Sequence, residues 1–353
     1  MSSIALPIAP PFTAPSIHAE SLYGSDGSGL IWGYYFVRGQ PAQLVDSSAV
    51  VALLTRVDHA STDAFLWLHY SLANAGCERW LHEHLSLPEA FYESLHERTS
   101  ATRLEQEDDT LVAVIHDVMF DFTFDASAVS TVNLSVGPRL LVSARLRPLR
   151  SLDRLRAAVK AGRTFRSSSE LLAHLLHDQA LVLADIIRQS TIRVDGIEDK
   201  LLSNRISLSR SELSSLRRVL VRLQRLLAPE PAALFRLLSR PPKWLTGDDL
   251  QDLREAAEEF SAAIVDSAAL VERIRLLQEE LAAQINEQTN RSVFTLTIVT
   301  VLALPINIVA GLFGMNVEGI PFSGHPQAFF LIVAILAAMT ALFIYLAFRR
   351  HSE

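Results

Sequence analysis

Apolar and polar positions change rhythm twice along this chain. Between residues 30 and 147, short β-rich runs alternate with segments of helical spacing. IWGYYFV (31–37), FLWLHY (65–70), LVAVIHDVMF (111–120), VSTVNLSV (129–136) and LLVSARL (140–146) predict strands, bounded by Gly, Pro, Asp or Ser. ANAGCERWLHEHL and LPEAFYESLHERT, between them, predict helices. This is an α/β or α+β domain over residues 29–149, behind a Pro-, Ser- and Gly-rich lead-in at 1–28.

Past residue 149 every periodic stretch is helical, beginning with a segment over 150–245. Helices are expected at 151–161, from the Ser167-Ser168-Ser169-Glu170 cap towards Leu202, at 209–227 up to Pro229 and Pro231, and at 232–238 up to Pro241-Pro242. A long helix then starts, with Thr246 or Asp248 as cap and Asp249, Asp252 and Glu255 at its positive end. Its apolar or small positions, Leu250, Leu253, Ala257, Phe260, Ile264, Ala268, Val271, Ile274, Leu281 and Ile285, step close to three and four. No Gly or Pro interrupts it between Asp248 and Pro305, so the stalk at 246–292 is expected to run straight into the next apolar stretch.

Two runs of 21 residues, 293–313 and 328–348, contain no charge. A helix of that length rises about 31 Å, the thickness of a bilayer's hydrocarbon core. Arg291 precedes the first and Arg349-Arg350 follow the second, while the 314–327 connection holds no Lys or Arg. The positive-inside rule therefore places both termini, including the 349–353 tail, in the cytoplasm of a cell bounded by this inner (plasma) membrane. The second run is Leu, Ile, Ala, Phe and Val with only Thr340 and Tyr345 as polar groups, and suits lipid. On the first, Asn290, Val293, Thr297, Thr300, Leu304, Asn307 and Gly311 share an arc of about 100°. Thr295 lies elsewhere, where its hydroxyl can bond back to the backbone. An amide at Asn307 facing lipid alone costs several kcal/mol, so it serves either as interhelical glue or as lining of a water-filled path. A stripe of this depth, ending at a Gly-rich polar loop, favours the path, and two helices cannot enclose one without an oligomer.

The net charge of −7 argues against nucleic acid as the partner. Eight arginines between 205 and 240, against Glu212 and Glu230, read as a solvated helical face. Cys77 is the only cysteine, which excludes an intrachain disulfide and suits a reducing compartment. The N-terminus, without a basic segment or a long apolar core, is expected to carry no secretory signal. No GxSxG, Walker A, HExxH or strand-linked GxGxxG is present, so an enzyme is not expected, nor a resident cofactor. His174 and His177, next to Asp178, form an i, i+3 pair that is either a cytoplasmic metal site or ordinary helix surface. His82 and His84 point apart on a helix, and Asp108-Asp109 and Asp248-Asp249 read equally as loop and helix-start charges.

Gly314-Met315-Asn316 between two C-terminal spans, after a long stalk helix and eleven residues beyond Pro305, resembles the CorA metal-ion transporter superfamily. FLWLHYSL (65–72), IEDKLLS (197–203), LRRVLVRLQRLLAPEPAAL (216–234) and FGMNVEGIP (313–321) look like its ZntB branch. Glu318 departs from that branch, whose loops commonly have Gly there, and an acid soon after the motif also occurs in CorA-like loops. The resemblance implies a homopentamer with a cytoplasmic α/β funnel, the first span lining the pore and the second facing lipid. The loop would form an outer ring in which Gly314 turns tightly, Met315 packs, and Asn316 and Glu318 attract hydrated divalent cations. Asn316 and Asn307 would hold the ion through its water shell, with Pro305 as a helix kink. The expected cargo is Zn²⁺ ahead of Mg²⁺ or Co²⁺, and protons, if coupled, would use Glu318, His325 or the funnel. A membrane-anchored signalling or scaffold domain is the competing account.

Overall fold

The computed structural model describes residues 24–59, 64–96, 102–125, 127–202, 209–315 and 327–351. Two compact units emerge, Met1–Arg275 and Leu276–Glu353. The first is built on seven strands: β1 (Leu30–Val37), β2 (Gln43–Val45), β3 (Ala64–Ser71), β4 (Arg103–Glu107), β5 (Thr110–Val118), β6 (Val129–Val136) and β7 (Leu140–Arg145). They form one sheet in the order β2-β1-β3-β7-β6-β5-β4. Every pairing is antiparallel except the central one, where β3 runs parallel to β7 with Leu66 opposite Leu140.

Both faces of this sheet are covered, which is why its strands read as apolar runs rather than as alternation. Odd positions of β3, Phe65 and Trp67, join Trp32, Tyr34 and Phe36 of β1 in one core. Helices α4 (Arg150–Lys160), α5 (Ser168–Leu202) and α7 (Pro229–Ser239) close that face, together with the start of α8 (Gly247–Phe313). Even positions, Leu66, Leu68 and Tyr70, join a second core under α1 (Ser47–His59), α2 (Cys77–His84) and α3 (Glu89–His96). Strands β2 and β4 and helix α1 were not expected. β2 and β4 lie at the two edges, and their polar, partly exposed residues lack the hydrophobic density that marks a buried strand.

Buried polar groups in the sheet are paired with each other. Ser143 accepts from Trp67 Nε1 at 2.9 Å and lies 2.8 Å from His69 Nδ1. Arg145 Nε donates to His69 Nε2 at 2.8 Å, which leaves Nδ1 carrying the imidazole proton. Burial, reinforced by Arg145 and Arg156, holds His69 well below the usual histidine range and therefore neutral.

Helix α6 (Ser209–Leu227) and α5 have the extents their caps and apolar steps predict. Helix α7 begins at Pro229 instead of after Pro231, because a proline in the first turn forfeits no helical hydrogen bond. Ser167 Oγ accepts from Glu170 N at 3.0 Å and caps α5. Thr246 caps α8: its Oγ1 accepts from Asp249 N at 3.2 Å, and Asp249 Oδ2 accepts from Thr246 N at 3.0 Å. Ser167 Oγ also donates to Asp249 Oδ1 at 2.6 Å, tying the two helix starts together.

Within the first unit, the buried seam of α8 is Leu253, Ala256, Ala257, Phe260, Ala263, Ser267, Leu270 and Ile274, close to a three-four step, with Leu253, Ala257, Phe260 and Ile274 where the sequence expects them. Ile264, Ala268 and Val271, expected on the seam, are only half-buried beside it. The expected seam is displaced by one position only at these three, because Ala263, Ser267 and Leu270 occupy the core there.

Gly29 adopts φ +86° and a Cβ there would stand 2.7 Å from Cys77 Cβ. Gly29→Ala should destabilise the protein by about 1–3 kcal/mol, read as a lower unfolding midpoint of the purified chain. Phe260, fully buried on the α8 seam, should cost about 3–5 kcal/mol as Phe260→Ala in the same measurement.

Candidate functional site

Helix α8 continues without interruption through Pro305 to Phe313 and contains the one stretch, among the described residues, long and apolar enough to cross a membrane. Pro305 donates no N–H, so the Val301 carbonyl loses its helical partner. A further apolar helix, α9 (Ala328–His351), follows, and these two are the described elements of the second unit.

Half-buried residues divide the surface of α8 beyond Asn290. Ile298, Leu302, Pro305 and Val309 lie on one face, matched on α9 by Ile332, Leu336, Met339 and Thr340. Asn290, Val293, Thr297, Thr300, Leu304, Asn307 and Gly311 are all exposed, and the centre of their stripe lies about 150° round the helix from that face. Ala303 sits between the two. The polar stripe therefore lies away from the half-buried face of α8, and the Asn307 amide has no hydrogen-bond partner among the described residues.

The threonines show how the stripe is polarised. Thr297 Oγ1 donates to the Val293 carbonyl at 2.8 Å and Thr300 Oγ1 to the Leu296 carbonyl at 2.9 Å. Off the stripe, Thr295 makes the same bond to Arg291. With its proton committed to the backbone, each stripe hydroxyl presents only lone pairs outward. Asn307 adds a carbonyl oxygen and an amide, while Val293 and Leu304, each 57% exposed, supply apolar rungs between them. No His, Cys or carboxylate stands on this face. Such a surface can hold the hydration shell of a cation but offers none of the ligands that bind Zn²⁺ tightly.

At the end of α8, Gly314 N donates to the Ala310 carbonyl at 2.9 Å, and a Cβ on Gly314 would stand 2.9 Å from that same oxygen. Glycine is thus the residue that fits this turn. A Cβ on Gly311 would meet only open space. Met315 is half-exposed. Asn316, Glu318 and His325 lie outside the described residues.

Of the other candidate ligands, one pair is brought together. His174 and His177 stack at 5.9 Å and line a cleft of about 220 Å³ with Glu170, Asp252, Glu255, Glu259 and Arg163. Each has its own acidic neighbour: His174 Nε2 is 3.8 Å from Asp178 and His177 Nδ1 bonds Glu259. Burial, with Arg163 and His177, lowers His174 to about 4. Among the described residues no group of three or more His, Cys, Asp or Glu has the arrangement of a metal site. His82 stacks on Tyr92 and His84 on Trp80, facing different neighbours. Asp108, at φ 51°, makes the turn of the β4–β5 hairpin beside Asp109, and Asp248 and Asp249 stand at the start of α8.

Glu230, read from the sequence as part of a solvated helical face, is instead buried. Glu230, His116, Asp117 and Gln179 meet in the interior of the first unit. An acid between two prolines at a helix start looks like a solvated partner of the helix dipole, so nothing local signals its burial.

The family model for the CorA-like Mg²⁺ transporter protein matches residues 62–350. A relative named divalent cation transporter CmaX, from Pseudomonas aeruginosa, is 27% identical over 333 residues, 94% of this chain and 98% of its own length. Zinc transport protein ZntB of Pectobacterium carotovorum is 22% identical over 298 residues, 84% of this chain and 91% of its own. The solved structure of full-length CmaX superposes with a TM-score of 0.77 at 28% identity, covering 92% of this chain and 98% of that one. The α/β sheet, the long helix leaving it and the match over residues 62–350 agree: the chain belongs to the CorA family of divalent cation transporters.

Proposed function

We propose that this chain is one subunit of a homopentameric pore that carries divalent cations across the inner membrane, with both termini cytoplasmic. Residues 293–313 and 328–348 are the two spans, the first facing the lumen and the second facing lipid. The observation that carries this reading is the exposed stripe from Asn290 to Gly311, which lies away from the half-buried face of α8. An unpartnered amide in hydrocarbon is costly, and five copies facing an axis would wet all of them at once. Gly314, Met315 and Asn316 form the outer ring, and Glu318 raises the local cation concentration. Thr297, Thr300 and Asn307 receive the ion's waters, and Leu304 and Val293 form the apolar narrows that close by dewetting. Weak contact through water suits conduction, driven by about 4.6 kcal/mol per divalent ion at 100 mV.

Zn²⁺ is the proposed cargo, supported by the similarity to a ZntB protein, with inward movement coupled to protons. A second reading, Mg²⁺ or Co²⁺ driven by voltage, is favoured by the family's description and by a stripe without nitrogen, sulfur or carboxylate ligands.

In proteoliposomes, Asn316→Ala should abolish flux of Zn²⁺, Mg²⁺ and Co²⁺ alike. Zinc flux that grows with an imposed pH gradient supports the first cargo; magnesium flux set by voltage alone supports the second. Asn307→Leu should lower flux at least about tenfold while Thr295→Val leaves it unchanged, because only Asn307 faces the lumen. Equal flux in both variants, or a native mass of a monomer or dimer, would sink the pore.

A further inference from the structure

Glu230 lies in the first turn of α7 and is 1% exposed. Its Oε1 accepts from the backbone N–H of His116 on β5 at 2.7 Å, and Gln179 Nε2 on α5 lies 3.4 Å from Oε2. No Lys or Arg pairs with it among the described residues, and the void beside it is otherwise lined by Thr102, Leu104, Ile115, Leu172, Leu176 and their apolar neighbours. Two titratable groups face it, both on β5. The His116 ring is 4.0 Å away, with Nδ1 3.1 Å from Thr102 Oγ1. Asp117 is buried too, and caps α4 by accepting from Ser151 N at 2.9 Å and Ser151 Oγ at 2.8 Å. The α5 helix contributes only the neutral Gln179, whose Nε2 is committed to the His116 carbonyl at 2.6 Å. That bond fixes the amide's orientation and leaves its Oε1 without a donor. A neutral Glu230 adds a hydroxyl donor to this cluster, whereas an ionised one adds a buried charge that no Lys or Arg meets among the described residues, with only the His116 ring at 4.0 Å to face it.

We propose that Glu230 is a proton-operated latch: protonated, it holds α7 against β5 and α5; ionised, it releases α7. Leu234 and Leu237 of α7 pack in one core with Leu245 and Leu253, so the latch acts on the base of α8. The direction follows from burial. Desolvation raises the Glu230 carboxyl well above the ordinary range, and the Asp117 charge adds to the shift. Asp117 itself is pushed up to about 7 by burial, against its hydrogen bonds from Ser151. A released Glu230 titrates at about 4.3, so between that value and the raised one the latched state binds more protons. Latching is complete at low pH and is lost as pH rises through the latched-state value.

Hydrogen exchange of the intact chain, followed on α7 from pH 6 to 9 and corrected for intrinsic rates, tests the latch. Protection of 229–239 should fall by up to about tenfold per pH unit above the Glu230 midpoint. Glu230→Gln should make it independent of pH, while α6 keeps the same protection in both proteins. Asp117→Asn removes the neighbouring charge and should move the wild-type midpoint to lower pH. This second variant decides the matter if Glu230→Gln does not fold. A pH-independent α7 in the wild type, an identical profile in Glu230→Gln, or an unmoved midpoint in Asp117→Asn would overturn the proposal.

Discussion

An α-helix satisfies its own backbone, and this lets α8 pass from a packed core to fully exposed apolar surface within one element. Only its side chains register the change. Near Thr246 they cap and lock to α5; from Leu253 to Ile274 they form a three-four seam; beyond Asn290 they are apolar on most of the circumference. Between Asp248 and Ala310 the ladder meets one residue that cannot donate, Pro305, at the depth where the stripe passes from threonine to asparagine. Sheet, seam and stripe all depend on that continuous backbone.

Much of this was legible beforehand, for identifiable reasons. Five strands announced themselves because a sheet covered on both faces favours dense runs of β-branched, aromatic and other apolar residues. The edges did not, since RLEQE and QLV meet solvent and carry no such demand. The seam of α8 was legible at Leu253, Ala257, Phe260 and Ile274, all of them buried, but one residue out of phase between them. There Ile264, Ala268 and Val271 stand beside the buried Ala263, Ser267 and Leu270.

The candidate site divides in the same way. A stripe on one helix needs only the 100° turn to be drawn, so its seven residues were found from sequence. Its position away from the half-buried face of α8 required the structure, because nothing in the sequence says that Ile298, Leu302, Pro305 and Val309 are the residues partly covered. His174 and His177 were proposed on their spacing beside Asp178, and spacing does not reveal that Glu259, from α8, also stands against His177. Glu230 is the reverse case. Its neighbours come from β5 and α5, over fifty residues away in sequence, so its environment exists only in three dimensions.

The parallel pairing of β3 with β7 has a consequence for the order of assembly. Both strands are almost wholly buried at the middle of the sheet, yet Leu66 must wait for Leu140. Until β7 has left the ribosome, β1, β2 and β3 form a fragment with an unpaired edge of Phe65, Leu66, Trp67 and Leu68. That edge is apolar on both faces, which is the kind of template on which nascent chains aggregate. Synthesis at about 5–20 residues per second leaves it open for several seconds. The hairpins of β4 to β7 are local and fast, so β7 can arrive already paired with β6. Closure of the sheet is then a single docking of two preformed halves, and the core on one of its faces is completed only when Leu253, Ala256 and Ala257 of α8 arrive.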